Sequence, residues 1–154
     1  MAIFIPGMIC PICGKQMLST DEVVMFPPFV PNKRDPLHFF SDGVFHRACF
    51  DKHPLSEQAT KYANEARIQH LPQNRVCIVC RQVITDPEDY FSAGYITNDR
   101  ASPAYAFNYV QFHKRHFREW DRASEFRRVM EGFVGSEGWD GPRIIFEPLP
   151  TWER

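Results

Sequence analysis

Apolar residues along this chain fall in short runs cut by prolines and polar turns. Ile3 to Ile5 suggests a short strand broken by Pro6-Gly7. From Asp21 to Val30, the succession Val23, Val24, Met25 and Phe26 predicts a strand. Pro27-Pro28 and Pro31 confine it to a sheet edge or an irregular end. After the polar turn Asn32-Lys33-Arg34-Asp35-Pro36, Leu37 to Phe40 predicts a second strand. Ser41-Asp42-Gly43 is a turn, and Val44-Phe45 leads into His46. Leu55, Ala59, Tyr62 and Ala66 then recur at helical spacing, which predicts a helix from about Leu55 to Leu71. Leu71-Pro72-Gln73-Asn74 ends it and serves as a linker.

The pattern returns 67 positions later without gaps. Pro36 is matched by Pro103, Phe40 by Phe107, Phe45 by Phe112 and Phe50 by Phe117, while Asp21-Glu22 is matched by Glu88-Asp89. Tyr90-Phe91 and residues 105–110 are the second set of strand candidates. A helix is expected from His113 to about Glu131, with Trp120, Ala123, Phe126 or Arg127, Met130 and Phe133 near one face, stopped by Gly132, Gly135 and Gly138. Arg143 to Glu147 predicts one further short strand, followed by Pro148, Pro150 and Trp152, with no counterpart in the first half. The expected division is a module over 1–72, a second over 73–135 and a tail over 136–154.

A chain of 154 residues makes one ordinary domain or two very small ones. A module of the smaller size buries little apolar surface and needs a staple such as a disulfide, a metal or a partner. Phe supplies 14 residues, which suits small cores that must bury much area per side chain. A net charge of −1 does not favour a nucleic-acid binder. No apolar run approaches a membrane span, and Met1 to Ile9 is too short for a signal peptide, so a cytoplasmic protein is expected. The 5 Cys cannot all pair as disulfides, which favours a reduced, metal-bound state.

The chemistry lies in Cys10-Pro11-Ile12-Cys13, answered by His46-Arg47-Ala48-Cys49. Two thiols two residues apart, then a His and a thiol at the same spacing, suit a tetrahedral Zn²⁺. The second set is Cys77-Ile78-Val79-Cys80 with His113-Lys114-Arg115-His116, and each ligand of the first maps onto one of the second at the 67-residue offset. Gly14 frees the first Cys-x-x-Cys turn for a positive φ. Four protein ligands at each site imply structural rather than catalytic ions, since a catalytic zinc keeps a position open. Zinc deaminase and Rieske patterns do not fit these spacings.

The arrangement resembles the treble-clef zinc finger: a Cys-x-x-Cys knuckle, a β-hairpin, then a helix whose first turn gives the last two ligands. The resemblance covers roughly residues 8–70 and 75–133. It implies an α+β protein of two tandem treble-clef-like zinc modules related by the 67-residue repeat. Cys10, Cys13, Cys77 and Cys80 would be knuckle ligands; His46, Cys49, His113 and His116 would be helix ligands. LIM domains share the His-x-x-Cys pattern but continue almost at once into the next Cys-x-x-Cys, whereas here a helix intervenes. The group includes protein-binding modules, nucleic-acid binders and HNH-type nucleases, so its fold does not specify function.

Three functions follow as expectations. Closed sites, near-neutral charge and aromatic-rich hairpin segments (Phe26 to Pro31, Tyr90 to Ile96) favour a non-catalytic, zinc-stabilised protein-binding adaptor or inhibitor, such as an antidote or immunity protein. Nucleic acid could instead be met by Lys114, Arg115, Arg118, Arg122, Arg127 and Arg128 with Phe117, Trp120 and Phe126 between them. Against this, Arg118–Asp121, Glu119–Arg122, Arg122–Glu125 and Glu125–Arg128 are spaced to pair on a helix. An HNH-type nuclease would use His38, near Asp35 and Asp42, but the position matching His38 is Tyr105. His53 and His70 are the other histidines outside the ligand sets.

The ligand sets also predict unequal acid sensitivity. Two imidazoles compete with protons near their own pKa, so the Cys77/Cys80/His113/His116 site is expected to empty first on mild acidification. Metal release followed against pH should show two steps, and simultaneous emptying would contradict this.

Overall fold

The computed structural model describes residues 2–142, and statements of absence below refer to these residues. It is a small mixed structure of helices and two two-stranded hairpins. β1 (Val23–Met25) pairs antiparallel with β2 (Val44–His46), Val23 opposite His46. Helices α1 (Arg47–Asp51) and α2 (Ser56–Gln69) follow. β3 (Tyr90–Ser92) pairs antiparallel with β4 (Gln111–His113), Tyr90 opposite His113, and α3 spans Ala123–Val134. The expected strand over Ile3 to Ile5 is absent, and the strand over Asp21 to Val30 shrinks to the three residues of β1. The short strand expected at Arg143 to Glu147 lies outside the described residues.

Two other expected strands are 3-10 turns, at Pro36–Phe40 and Pro103–Phe107. The cause is a cap followed by proline. Asp35 Oδ1 accepts the Leu37 amide at 2.8 Å and Ser102 Oγ the Ala104 amide at 3.3 Å. The proline in the first turn supplies a preset φ and needs no N–H partner. This local bonding wins over the apolar run that suggested a strand.

The helix expected from His113 to Glu131 is also interrupted. Lys114–Glu119 is a 3-10 turn, Trp120 is extended (φ −75, ψ 123), and α3 starts only at Ala123. Packing explains the break. The Phe117 and Phe126 rings stand 6.2 Å apart, yet nine residues of continuous helix would separate them by about 13 Å along the axis. Breaking the helix lets Phe117, Trp120 and Phe126 all enter one core.

Two buried clusters result. The first gathers Phe26, Phe29, Phe40, Phe45 and Phe50 with Ala59, Tyr62, Ala63 and Ala66 of α2; the second gathers Phe91, Phe107, Phe112, Phe117, Trp120, Phe126 and Met130. In the first, Phe26 packs on Phe40, Phe45 and Phe50 at 6.1, 6.3 and 5.0 Å. In the second, Phe126 packs on Phe107, Phe112 and Phe117 at 5.2, 6.2 and 6.2 Å. A ring from the hairpin in one half is thus exchanged for a ring from the helix in the other. Where Phe126 fills the second core, the first has Ala59; where Phe26 fills the first, the second has Ala93. Total core volume is what must be kept. The aromatic residues Phe26, Phe29, Phe91 and Tyr95 of the hairpin segments, with Ile96 beside them, are buried in these cores.

The clusters meet through Tyr95, which belongs to the first core although it follows β3. Its hydroxyl donates to the buried Asp35 Oδ2 at 2.8 Å, and its ring lies 5.1 Å from Tyr62. The Tyr109 hydroxyl donates to the Tyr62 carbonyl at 3.3 Å, and Gln111 Nε2 donates to the Gln69 carbonyl at 3.2 Å. Beyond α3 the chain turns back: Lys33 N donates to the Asp140 carbonyl at 2.8 Å, and Asn32 Nδ2 to the Gly138 carbonyl at 2.9 Å.

Replacing Tyr95 by Phe leaves Asp35 Oδ2 a buried acceptor without its donor, which should cost about 1–3 kcal/mol in urea unfolding. Burial, reinforced by the Asp35 charge, pushes the Tyr95 hydroxyl pKa up from its usual 10.0. The neutral phenol is therefore favoured in the fold. Its stabilising contribution is fully present below about pH 10 and lost at higher pH, as the unfolded chain ionises first. The wild-type midpoint should fall above pH 10 more steeply than that of the Tyr95→Phe variant; equal slopes would contradict the assignment.

Candidate metal centres

Cys10 and Cys13 sit on a turn closed by the bridge between Ile9 and Gln16. Cys10 N donates to the Lys15 carbonyl at 2.8 Å and Gly14 N to the Cys10 carbonyl at 2.9 Å. Gly14 takes φ +70, the conformation glycine tolerates best. His46 ends β2 and Cys49 lies in α1, so hairpin and helix together bring these two against the turn.

The second set has the same framework. A bridge joins Val76 and Val83, Cys77 N donates to the Gln82 carbonyl at 2.9 Å, and Arg81 N to the Cys77 carbonyl at 2.9 Å. Arg81 occupies the glycine position at φ +61, a conformation unfavourable for a residue with a Cβ. His113 ends β4 and His116 lies in the 3-10 turn.

The structure brings the eight residues into two clusters, Cys10/Cys13/His46/Cys49 and Cys77/Cys80/His113/His116, whose ligand atoms lie within 4.8 Å of one another. The sulfur–nitrogen separations test whether an ion fits. Cys13 Sγ is 3.4 Å and Cys49 Sγ 4.0 Å from His46 Nδ1. Cys80 Sγ is 3.5 Å from His113 Nδ1, and Cys77 Sγ is 3.7 Å from His116 Nδ1. A tetrahedral ion with metal–sulfur and metal–nitrogen bonds of about 2.3 and 2.05 Å spans an S···N edge of about 3.5 Å. Both clusters therefore fit a metal ion.

Their electrostatics prepare one thiol in each for deprotonation. Burial pushes the Cys10 thiol up, but the amides of His46, Cys13 and Ile12 and the His46 ring outweigh it and hold the pKa at about 6. At Cys77 burial is again opposed, by the amides of Cys80 and His113 and the rings of His116 and His113, giving about 6. His113 N donates to Cys77 Sγ at 3.4 Å. Cys49 is pushed up by burial and by the neighbouring Cys13 sulfur. Exposure separates the centres: Cys13 is exposed, and a cleft of about 520 Å³ lined by Lys15, Asp21, His46, Arg47 and Cys49 opens over the first cluster. In the second, Cys77 and His113 are buried.

One neighbour of the first centre was not evident in the sequence. Asp21 Oδ2 lies 3.3 Å from His46 Nε2 and accepts the Leu18 amide at 2.7 Å. Its sequence signal was its place in the acidic pair Asp21-Glu22 that recurs as Glu88-Asp89; its approach to His46 comes from the register of β1 with β2.

The other candidates are placed elsewhere. His38 lies on the Pro36–Phe40 turn, not on a hairpin strand, and its Nδ1 is 2.9 Å from the Val30 carbonyl. His53 Nδ1 accepts the Leu55 amide at 3.2 Å, and its ring stacks 5.9 Å from Phe39. No third metal-binding cluster occurs among the described residues. The basic residues after His113 do not share one helical face, because the helix is broken. Arg115 pairs with Asp89; Arg122 pairs with Glu125 at 2.8 Å and lies 4.6 Å over the Phe107 ring; Arg127 lies 5.5 Å over Phe117. No helix among the described residues is long and apolar enough to cross a membrane.

No protein-family model, curated protein or solved structure matches this chain.

Structural ions in small modules contribute about 10–16 kcal/mol apparent, as much as the whole net stability of a typical domain at about 5–15 kcal/mol. Chelation should therefore unfold the chain, with loss of far-ultraviolet circular dichroism and a red shift of the tryptophan fluorescence, since Trp120 and Trp139 are buried in the fold. Retention of a cooperative thermal transition after complete metal removal would show the ions to be dispensable.

Proposed function

We propose that the chain is a tandem pair of treble-clef modules, each stapled by one structural Zn²⁺, and that it works as a non-catalytic protein-binding adaptor or inhibitor. Mixed thiolate and imidazole donors in a four-coordinate cluster are the donor chemistry of zinc. The matching offset of hairpins, 3-10 turns and Cys-x-x-Cys turns supports the tandem reading, and four protein donors per site support a structural role.

The observation behind the binding role is an apolar surface on the first knuckle. Ile3, Ile5, Ile9 and Leu18 are more than half exposed, and Met8 is partly so. The backbone gathers them: Met8 N donates to the Ile5 carbonyl at 3.1 Å and Met17 N to the Met8 carbonyl at 2.7 Å. Exposed apolar side chains on the segments that build one knuckle are what a partner protein can desolvate. The buried hairpin aromatics leave that role to the knuckle. The engagement of Arg115, Arg122 and Arg127 within the chain weakens the nucleic-acid alternative.

The test is capture of partners from native extract by the zinc-loaded chain, beside an Ile5→Asp/Ile9→Asp variant. Exposed substitutions of this kind usually change stability by less than about 0.5 kcal/mol. Loss of hot-spot contacts worth about 2 kcal/mol should weaken the complex at least about 30-fold. Unchanged capture by the folded variant, or recovery of nucleic acid alone, would overturn the reading.

A further inference from the structure

We propose that Asp21 is a positioning residue for the first metal centre, fixing the tautomer and orientation of His46. The inference rests on the metal-site reading above and concerns how this chain builds that site. A metal-binding imidazole must present one bare nitrogen to the ion and keep its proton on the other. His46 Nδ1 faces Cys13 and Cys49, while Nε2 faces the Asp21 carboxylate at 3.3 Å. A carboxylate at that distance is close enough to hold the Nε2 proton, which would leave Nδ1 free to give its lone pair to an ion and make the ring a stronger donor.

The carboxylate is itself held. Its Oδ2 accepts the Leu18 amide, and the Asp21 amide donates to the Leu18 carbonyl at 3.1 Å. Register supplies the placement, because Val23 pairs with His46 and Arg47 N donates to the Glu22 carbonyl at 2.8 Å. Asp21 thus reaches the ring from the far side of the hairpin. The side-chain exposures of the ring and the carboxylate are 17% and 32%, and both line the cleft over the first cluster.

The second centre is built differently. The residue matching Asp21 is Glu88, whose amide bonds to Asp86, and the adjacent Asp89 is taken by Arg115. Among the described residues no carboxylate pairs with His113 or His116. The support is specific to one site, and so is its expected effect.

The experiment uses the full chain loaded with Zn²⁺, titrated with a chromophoric chelator, beside Asp21→Asn and Asp21→Ala variants. Co²⁺ loading tells the three-thiolate site from the two-thiolate site by its charge-transfer intensity. Asparagine keeps an oxygen for the Leu18 amide but removes the charge on His46. Removing such a partner typically lowers metal affinity 10–100-fold. Asp21→Ala should fall in that range at the first site, Asp21→Asn should lose about tenfold there, and the second site should not change. In the wild type, ring nitrogen chemical shifts of His46 should report a protonated Nε2 that exchanges faster in the alanine variant. Unchanged first-site affinity in both variants would overturn the proposal. So would wild-type affinity in Asp21→Asn combined with equal weakening of both sites in Asp21→Ala, which would make Asp21 a turn residue only. A wild-type chain that bound no ion at Cys10, Cys13, His46 and Cys49 would instead overturn the metal reading, and this proposal with it.

Discussion

The geometry of each half depends on joining a Cys-x-x-Cys turn to the end of a hairpin. Three-residue strands such as β1 and β2 cannot hold that junction alone, since an isolated hairpin is at best marginal in water. The buried rings behind it supply area but little direction. Directed bonds come from four soft or borderline donors that converge within the reach of one ion. An ion held there would fix the turn against β2 and α1, beside the hairpin that carries Phe45 and the α2 face that covers the ring cluster.

A second demand comes from the backbone amides. Ser41 Oγ accepts the amides of Phe29 and Val30 at 2.9 and 3.1 Å; Asn108 Oδ1 accepts those of Ile96 and Thr97 at 2.7 and 3.2 Å. A hydroxyl in one half and a carboxamide in the other do the same work for an irregular segment that no strand covers. Asp42 and Tyr109, 67 positions apart, likewise both take positive φ, at +58 and +59. Buried amides must be paired wherever the chain leaves regular structure. Several side-chain types can meet that demand, so the backbone is kept while the residues change.

This explains which features were legible in the sequence. Ligand spacing was, because the chemistry of a metal site sits in a few residue types at fixed intervals. The α2 stripe of Ala59, Tyr62 and Ala66 was too, since a long periodic segment has one plausible packing. The 3-10 turns were not: Leu37-His38-Phe39-Phe40 has the composition of a strand, and only the Asp35-Pro36 cap distinguishes it. The break before α3 was hidden because Trp120, Ala123, Phe126 and Met130 fit a helical period closely enough. The contradiction appears only when the rings must converge in space. Asp21 was invisible because its role depends on the register of β1 with β2.

The contacts between the halves fall where the two halves of the sequence disagree. Phe40, Phe45 and Phe50 are repeated as Phe107, Phe112 and Phe117, and all six lie in their own cores. The residues that cross are not repeated. Asp35 stands against Ser102 in the offset, Tyr95 against Pro28, Tyr109 against Asp42, Tyr62 against Val129, Gln111 against Val44 and Gln69 against Ser136. Each half keeps its own ligand set and ring cluster. The joint needs one partner of each kind: a buried carboxylate on one side and a phenol on the other. That pair is unlike, so the phenol donor and the carboxylate acceptor satisfy each other. The tyrosines are the outcome: Tyr95 and Tyr109 lie with raised hydroxyl pKa values in a boundary that neither half could bury alone.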